Sequence, residues 1–165
     1  MHAFLNTYNY HRQHAPISGT VLEAKNIQGA AYMEVNEKCQ PIREIPVSGE
    51  GKRQDSKSVL EVPDCPGYQF LQTRGCVIID NPVLGKVAVL PIGMAIVSGV
   101  RLTVREGDIV RKGDEISTFL FGGSDIILVF QKKAGLQVKD FVPSPMDEAG
   151  NQTHSKYGTI LARAP

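Results

Sequence analysis

Ser124 directly follows Gly122-Gly123 and separates two apolar stretches in "STFLFGGSDIILVF", and His11 and His14 stand three residues apart in "YNYHRQHAPISG". A serine hydroxyl is a weak nucleophile until a base takes its proton, and imidazole is the side chain best matched to that task near neutral pH. Glycines inside a strand pattern mark a bend, or a place where another group must approach the backbone closely. The bland alternative is a strand bend with an ordinary, satisfied serine hydroxyl. The two histidines could face the same side of an extended segment or opposite sides; spacing leaves both open. His-x-x-His with no third ligand suggests no metal site. His2 and His154 fall in stretches read as tail and loop.

The elements that must position these groups read as strands. Sixteen glycines and ten prolines punctuate the chain, with β-branched residues between them. "GTVLEA" (19–24), "CVIID" (76–80), "KVAVLPI" (86–92), "IVSGVRLTV" (96–104), "DIILVFQ" (125–131) and "YGTILAR" (157–163) carry the strand signature. No helix-length window shows a 3.6-residue apolar repeat. The expectation is one mainly β domain over 1–165, a flattened barrel or sandwich with few short helical turns. Residues 45–67, rich in Ser, Gly, Pro and charge, read as a long loop excursion, and 143–156 as a second loop.

Composition excludes several classes. A formal charge of +1, 7% aromatic residues and no tryptophan give no basis for nucleic-acid binding. Asp80, Asn81, Pro82, Lys86 and Pro91 interrupt the most apolar region, so no transmembrane segment is expected. The polar N-terminus lacks a signal-peptide core, and the protein is expected to be cytoplasmic. Cys39, Cys65 and Cys76 then read as reduced thiols, Cys76 as a small buried apolar residue, and the sequon at Asn151 carries little weight.

"HAPISGTVLEA" (14–24) and "VREGDIVRKGDEIS" (104–117), with its two Gly-Asp turns, resemble the hammerhead hairpins of biotinyl and lipoyl carrier domains. A carrier needs a modifiable lysine at a hairpin tip. Lys132-Lys133 lacks the expected flanking residues, so this likeness supplies a fold and no function.

"YHRQHAPISGTV", "VAVLPIGMAIVSGV" and "VREGDIVRKGDEISTFLFGGSD", taken in this order, resemble the phosphatidylserine decarboxylase family, from about residue 5 to residue 131. The likeness is greatest to the soluble fungal branch, which includes enzymes acting on aromatic amino acids such as tryptophan. The resemblance implies self-cleavage between Gly123 and Ser124, with a pyruvoyl group made from Ser124 as the cofactor. Gly122 and Gly123 would leave the attacked carbonyl open. It implies His14 as the base activating Ser124 and His11 as the histidine of the decarboxylation step. The pyruvoyl ketone would condense with a substrate amine and take up the electrons released with carbon dioxide.

Two departures from the family pattern matter. The family orients its base histidine with an aspartate well upstream of the motif, whereas Tyr10 stands near the start of this sequence; the expectation is that this stretch does not supply that aspartate. Asp125 replaces the threonine of the phospholipid enzymes, and its carboxylate could orient His14, although strand alternation would turn residues 124 and 125 to opposite faces. Arg12 and Arg74 are candidate cations for a substrate carboxylate. Tyr10 is a further candidate for contact with substrate, although it reads more simply as a packing residue with a satisfied hydroxyl. The resulting expectation is a pyruvoyl-dependent decarboxylase of a small amino acid, with a small amine or amino acid as its partner and the oligomeric state open. The alternative is an unprocessed relative without cofactor, using the same pocket for a non-decarboxylative step of specialised metabolism or for ligand binding.

Overall fold

The computed structural model describes residues 1–5, 9–29, 68–93, 99–120, 124–151 and 153–165. The excursion at 45–67, Cys39, Cys65, Gly122 and Gly123 lie outside the described residues, as do 96–98 of the expected strand 96–104.

The fold is mainly β. Its strands are β1 (His2–Leu5), β2 (Arg12–His14), β3 (Gly19–Ile27), β4 (Arg74–Asn81), β5 (Gly85–Gly93), β6 (Val100–Leu102), β7 (Ile109–Val110), β8 (Glu115–Phe119) and β9 (Ser124–Phe130). They form a curled antiparallel sheet ordered β1-β9-β5-β4-β3-β7 and a smaller sheet ordered β2-β8-β6. Asn26 Nδ2 on β3 donates to the Val100 carbonyl on β6 at 3.0 Å, tying the small sheet to the large one.

Alternation explains the core. On β5, Val87 and Val89 are fully buried while Lys86 between the turn and Val87 is exposed, the period of two that a pleated strand imposes. They pack with Ala15, Ile17, Val21, Val77, Ile79, Val110, Ile116 and Leu128. Each of these valine, isoleucine and leucine side chains contributes roughly 1.5–3 kcal/mol on burial. The β4–β5 register runs from Asn81↔Gly85 to Val77↔Val89 and resumes at Arg74↔Ile92, passing over Leu90 and Pro91, where proline has no N–H to donate.

The two Gly-Asp turns are built alike. Asp108 Oδ2 accepts from the Arg105 N–H, and Asp114 Oδ2 from the Arg111 N–H, each at 2.8 Å. Gly107 (φ +91°) and Gly113 (φ +96°) take the left-handed region that favours glycine. Each turn docks on the segment after β2: the Gly107 N–H donates to the Val21 carbonyl and the Gly113 N–H to the Ala15 carbonyl.

Two expectations need correction. Residues 157–163 form no strand; Ala162 makes a single bridge to Phe141, and Tyr157-Gly158 lies in a turn with Gly158 at φ +87°. His2 is not in a loose tail: it lies in β1, which pairs with β9 from His2↔Ile127 to Leu5↔Ser124.

Candidate active site

Ser124 opens β9, with Leu5 of β1 as its neighbour on one side and Gly93 of β5 on the other. Asp125 is wholly buried, and its Oδ2 lies 2.9 Å from His2 Nε2. The idea that Asp125 orients His14 is therefore corrected. Its carboxylate is turned to β1, and His14 has other partners.

β2 brings the histidine motif against β8, with Arg12↔Thr118, Gln13↔Ser117 and then His14↔Glu115 across a register shift. Gln13 is buried, and its Oε1 accepts from the Ser117 hydroxyl at 2.8 Å. Arg12 and His14 on either side are more exposed, as alternation requires.

His14 is held on both ring nitrogens. Its Nδ1 lies 2.8 Å from the Gly113 carbonyl and its Nε2 lies 2.8 Å from the Tyr10 hydroxyl. A carbonyl can only accept, so Nδ1 carries the proton; in the neutral ring Nε2 then holds the lone pair and accepts from Tyr10. The turn at Arg111–Asp114 directs the Gly113 carbonyl at the ring. The imidazole belongs to a cluster of three rings: Tyr10 is near-parallel to it at 5.6 Å, Tyr157 is at 4.2 Å, and the two tyrosines are 5.8 Å from each other. The Tyr157 hydroxyl donates to the same Gly113 carbonyl at 3.0 Å.

His11 packs edge-on against buried Phe119, with ring centroids 6.3 Å apart. Its backbone carbonyl accepts from the Phe119 N–H at 3.1 Å. Both candidate substrate cations are engaged within the protein. Arg12 Nη1 reaches both Glu115 carboxylate oxygens at 2.7 Å. Arg74 Nη1 donates towards the carbonyls of Gln72, Phe70 and Gln69 at 3.2–3.5 Å. Among the described residues no cluster of His, Cys, Asp or Glu could hold a metal ion, and no helix is long and apolar enough to cross a membrane.

The structure thus joins Tyr10 to His14, ties Arg12 to Glu115, and seats His11 beside Phe119. Sequence reasoning missed Tyr157 and the Gly113 carbonyl. Neither has a local signal, since Tyr157 comes from a loop and the carbonyl belongs to a glycine that already had a turn to explain it.

The family model for phosphatidylserine decarboxylase matches residues 1–149. The chain belongs to that family. Decarboxylase iboD of Amanita muscaria is 29% identical over 97% of this chain and 43% of its own length. The L-tryptophan decarboxylase of Psilocybe cubensis is 28% identical over 88% of this chain and 32% of its own. Phosphatidylserine decarboxylase proenzyme 2 of Oryza sativa is 36% identical over 76% of this chain and 17% of its own. The chain therefore spans less than half the length of each of these relatives. No solved structure matches it.

Proposed function

We propose that the chain is a pyruvoyl-dependent decarboxylase of a small amino acid, formed by self-cleavage between Gly123 and Ser124. Family membership supports this reading, and one observation carries it: β8, the partner of the histidine-bearing β2, runs through only residues 120–123 into Ser124. His11 is bonded to Phe119 at the end of β8 nearest that connection, while His14 stands opposite Glu115 at the other end.

In this reading the Ser124 Oγ attacks the Gly123 carbonyl carbon while His14 Nε2 takes the hydroxyl proton. The ester C–O bond forms, the peptide C–N bond breaks, and the proton passes to the freed amine. Removal of the Ser124 α-proton then expels the Gly123 carboxylate and leaves dehydroalanine at residue 124. Its imine form adds water and releases ammonia, so the ketone appears without any external oxidant. Once formed, the pyruvoyl ketone supplies an electron sink for decarboxylation. The chain's residues do the rest. β9 stays bonded between β1 and β5, which keeps residue 124 in place after the cut. His11, steadied by Phe119, returns a proton to the substrate α-carbon.

The Psilocybe cubensis relative whose name specifies L-tryptophan aligns with 88% of the chain, which supports an amino acid as the substrate. Carbon dioxide release should be measured for the wild-type chain and for Ser124→Ala, with amino acids including tryptophan and with phosphatidylserine vesicles. Release from an amino acid, lost in Ser124→Ala, is the expected result. Release from phosphatidylserine alone, or from none of these, would contradict it.

The Tyr10 hydroxyl on His14 Nε2 favours one second reading. An unprocessed chain keeps Ser124 as serine, and Tyr10 with His14 forms an acid–base pair for a non-decarboxylative step.

A further inference from the structure

Building on that reading of His14, we infer that Tyr157 is a positioning residue that, with the Gly113 carbonyl, fixes which nitrogen of His14 acts as base. The arrangement is a clamp with three contacts. His14 Nδ1–H donates to the Gly113 carbonyl at 2.8 Å, Tyr157 donates to the same oxygen at 3.0 Å, and the Tyr157 ring lies 4.2 Å from the imidazole. A carbonyl oxygen has two lone pairs and accepts both donors. The ring contact resists rotation about the His14 side-chain bonds, and the shared carbonyl makes the Nε2–H tautomer unfavourable because Nδ1 would then face an acceptor with no proton to offer. Nε2 is left as the basic nitrogen.

The clamp reaches across the proposed cut. Tyr157 lies in the C-terminal fragment and beyond residue 149, where the family match ends, while His14 and Gly113 lie in the larger one. It is held at the tip of the Lys156–Thr159 turn, where the Thr159 hydroxyl donates to the Lys156 carbonyl at 2.8 Å. The segment around it is anchored on both flanks. The Val142 N–H donates to the Leu161 carbonyl at 2.9 Å, and the Thr153 N–H to the Pro145 carbonyl at 2.7 Å. The loop at 143–156 and the turn after it therefore deliver an aromatic ring to the base histidine.

The test uses the full chain in two forms. In Ser124→Ala, which cannot cleave, nitrogen-15 NMR of labelled histidine reads the His14 tautomer independently of any activity. In the Ser124 chain, the rate of appearance of fragments 1–123 and 124–165 reads the base. Tyr157→Ala is expected to convert the single Nδ1–H tautomer into a mixture and to slow cleavage about 10-fold. Tyr157→Phe keeps the ring contact and is expected to recover most of both.

Gly113→Ala and Gly107→Ala form a matched pair that guards against simple misfolding. Both glycines have similar positive φ, and an added Cβ meets nothing closer than 3.6 Å at either, so the backbone penalty is alike. Only Gly113→Ala disturbs the carbonyl at His14, and only it should alter the tautomer. An unchanged His14 tautomer and rate in Tyr157→Ala, with a well-dispersed amide spectrum, would overturn the inference, as would equal tautomer changes in the two glycine variants. If the tautomer responds but the Ser124 chain never cleaves, the positioning role stands and the cleavage reading falls.

Discussion

His2 Nε2 lies 2.9 Å from Oδ2 of Asp125, so the second residue of the chain is tied to the residue that follows the candidate nucleophile. The contact fixes β1 along β9, where Leu5 is the register partner of Ser124. Asp125 is fully buried, whereas the His2 side chain is about a third exposed, at 36%. Truncating the histidine removes one partner of a buried carboxylate without filling its place.

His2→Ala should therefore destabilise the fold by about 1–3 kcal/mol, less than breaking a fully buried pair costs, because solvent reaches the histidine. Asp125→Asn, which removes the charge and keeps a hydrogen-bonding group, should cost less. Urea unfolding of both variants in an uncleavable Ser124→Ala background measures this. Equal midpoints for His2→Ala and its parent would show that the pair contributes nothing.

Tyr10 should act as a brake on the base. Its hydroxyl occupies His14 Nε2 at 2.8 Å and must leave before that nitrogen can take the Ser124 proton. A net hydrogen bond is worth about 0.5–1.5 kcal/mol, so Tyr10→Phe should speed fragment formation by roughly 2- to 12-fold. Time courses by denaturing gel or mass spectrometry check the direction. A slower Tyr10→Phe chain would make the tyrosine a helper in proton transfer.

Cys76 should be a protected thiol. Burial pushes its pKa up, the nearby Glu23 carboxylate adds to this, and Lys25 and Arg74 oppose it only in part. The thiolate is the reactive form, so alkylation at pH 8 should be much slower in the folded chain than in denaturant. A folded-state pKa raised above the unfolded value leaves stability intact below the unfolded pKa, and part of it is lost as pH rises through the folded value. Cys76→Ala should remove that alkaline loss, which denaturation between pH 8 and pH 10 would measure.

The sequence carried the long strands and marked several candidate site residues, for different physical reasons. β3, β4, β5 and β9 announce themselves because runs such as "GKVAVLPI" alternate over enough residues to show a period of two. β1, β2, β7 and β8 are two to five residues long and are made strands by their partners. "YGTILAR" has strand-forming residues, yet it has only the Phe141–Ala162 bridge, and Gly158 turns the chain instead. Glycine before Ser124 and two histidines near Tyr10 stood out because the proposed chemistry would restrict residue type there. The Arg12–Glu115 pair, the His2–Asp125 pair and the Tyr157 clamp join residues remote in sequence, and no local pattern encodes them.

Self-cleavage would make residue 124 the new N-terminus of the smaller fragment. The most direct test is the intact mass of the purified 18.0 kDa protein under denaturing conditions, with and without hydroxylamine. Two fragments divided between Gly123 and Ser124 are expected, the smaller one gaining mass with the ketone-trapping reagent. A single chain of unaltered mass, unchanged by time or by reagent, would contradict self-cleavage.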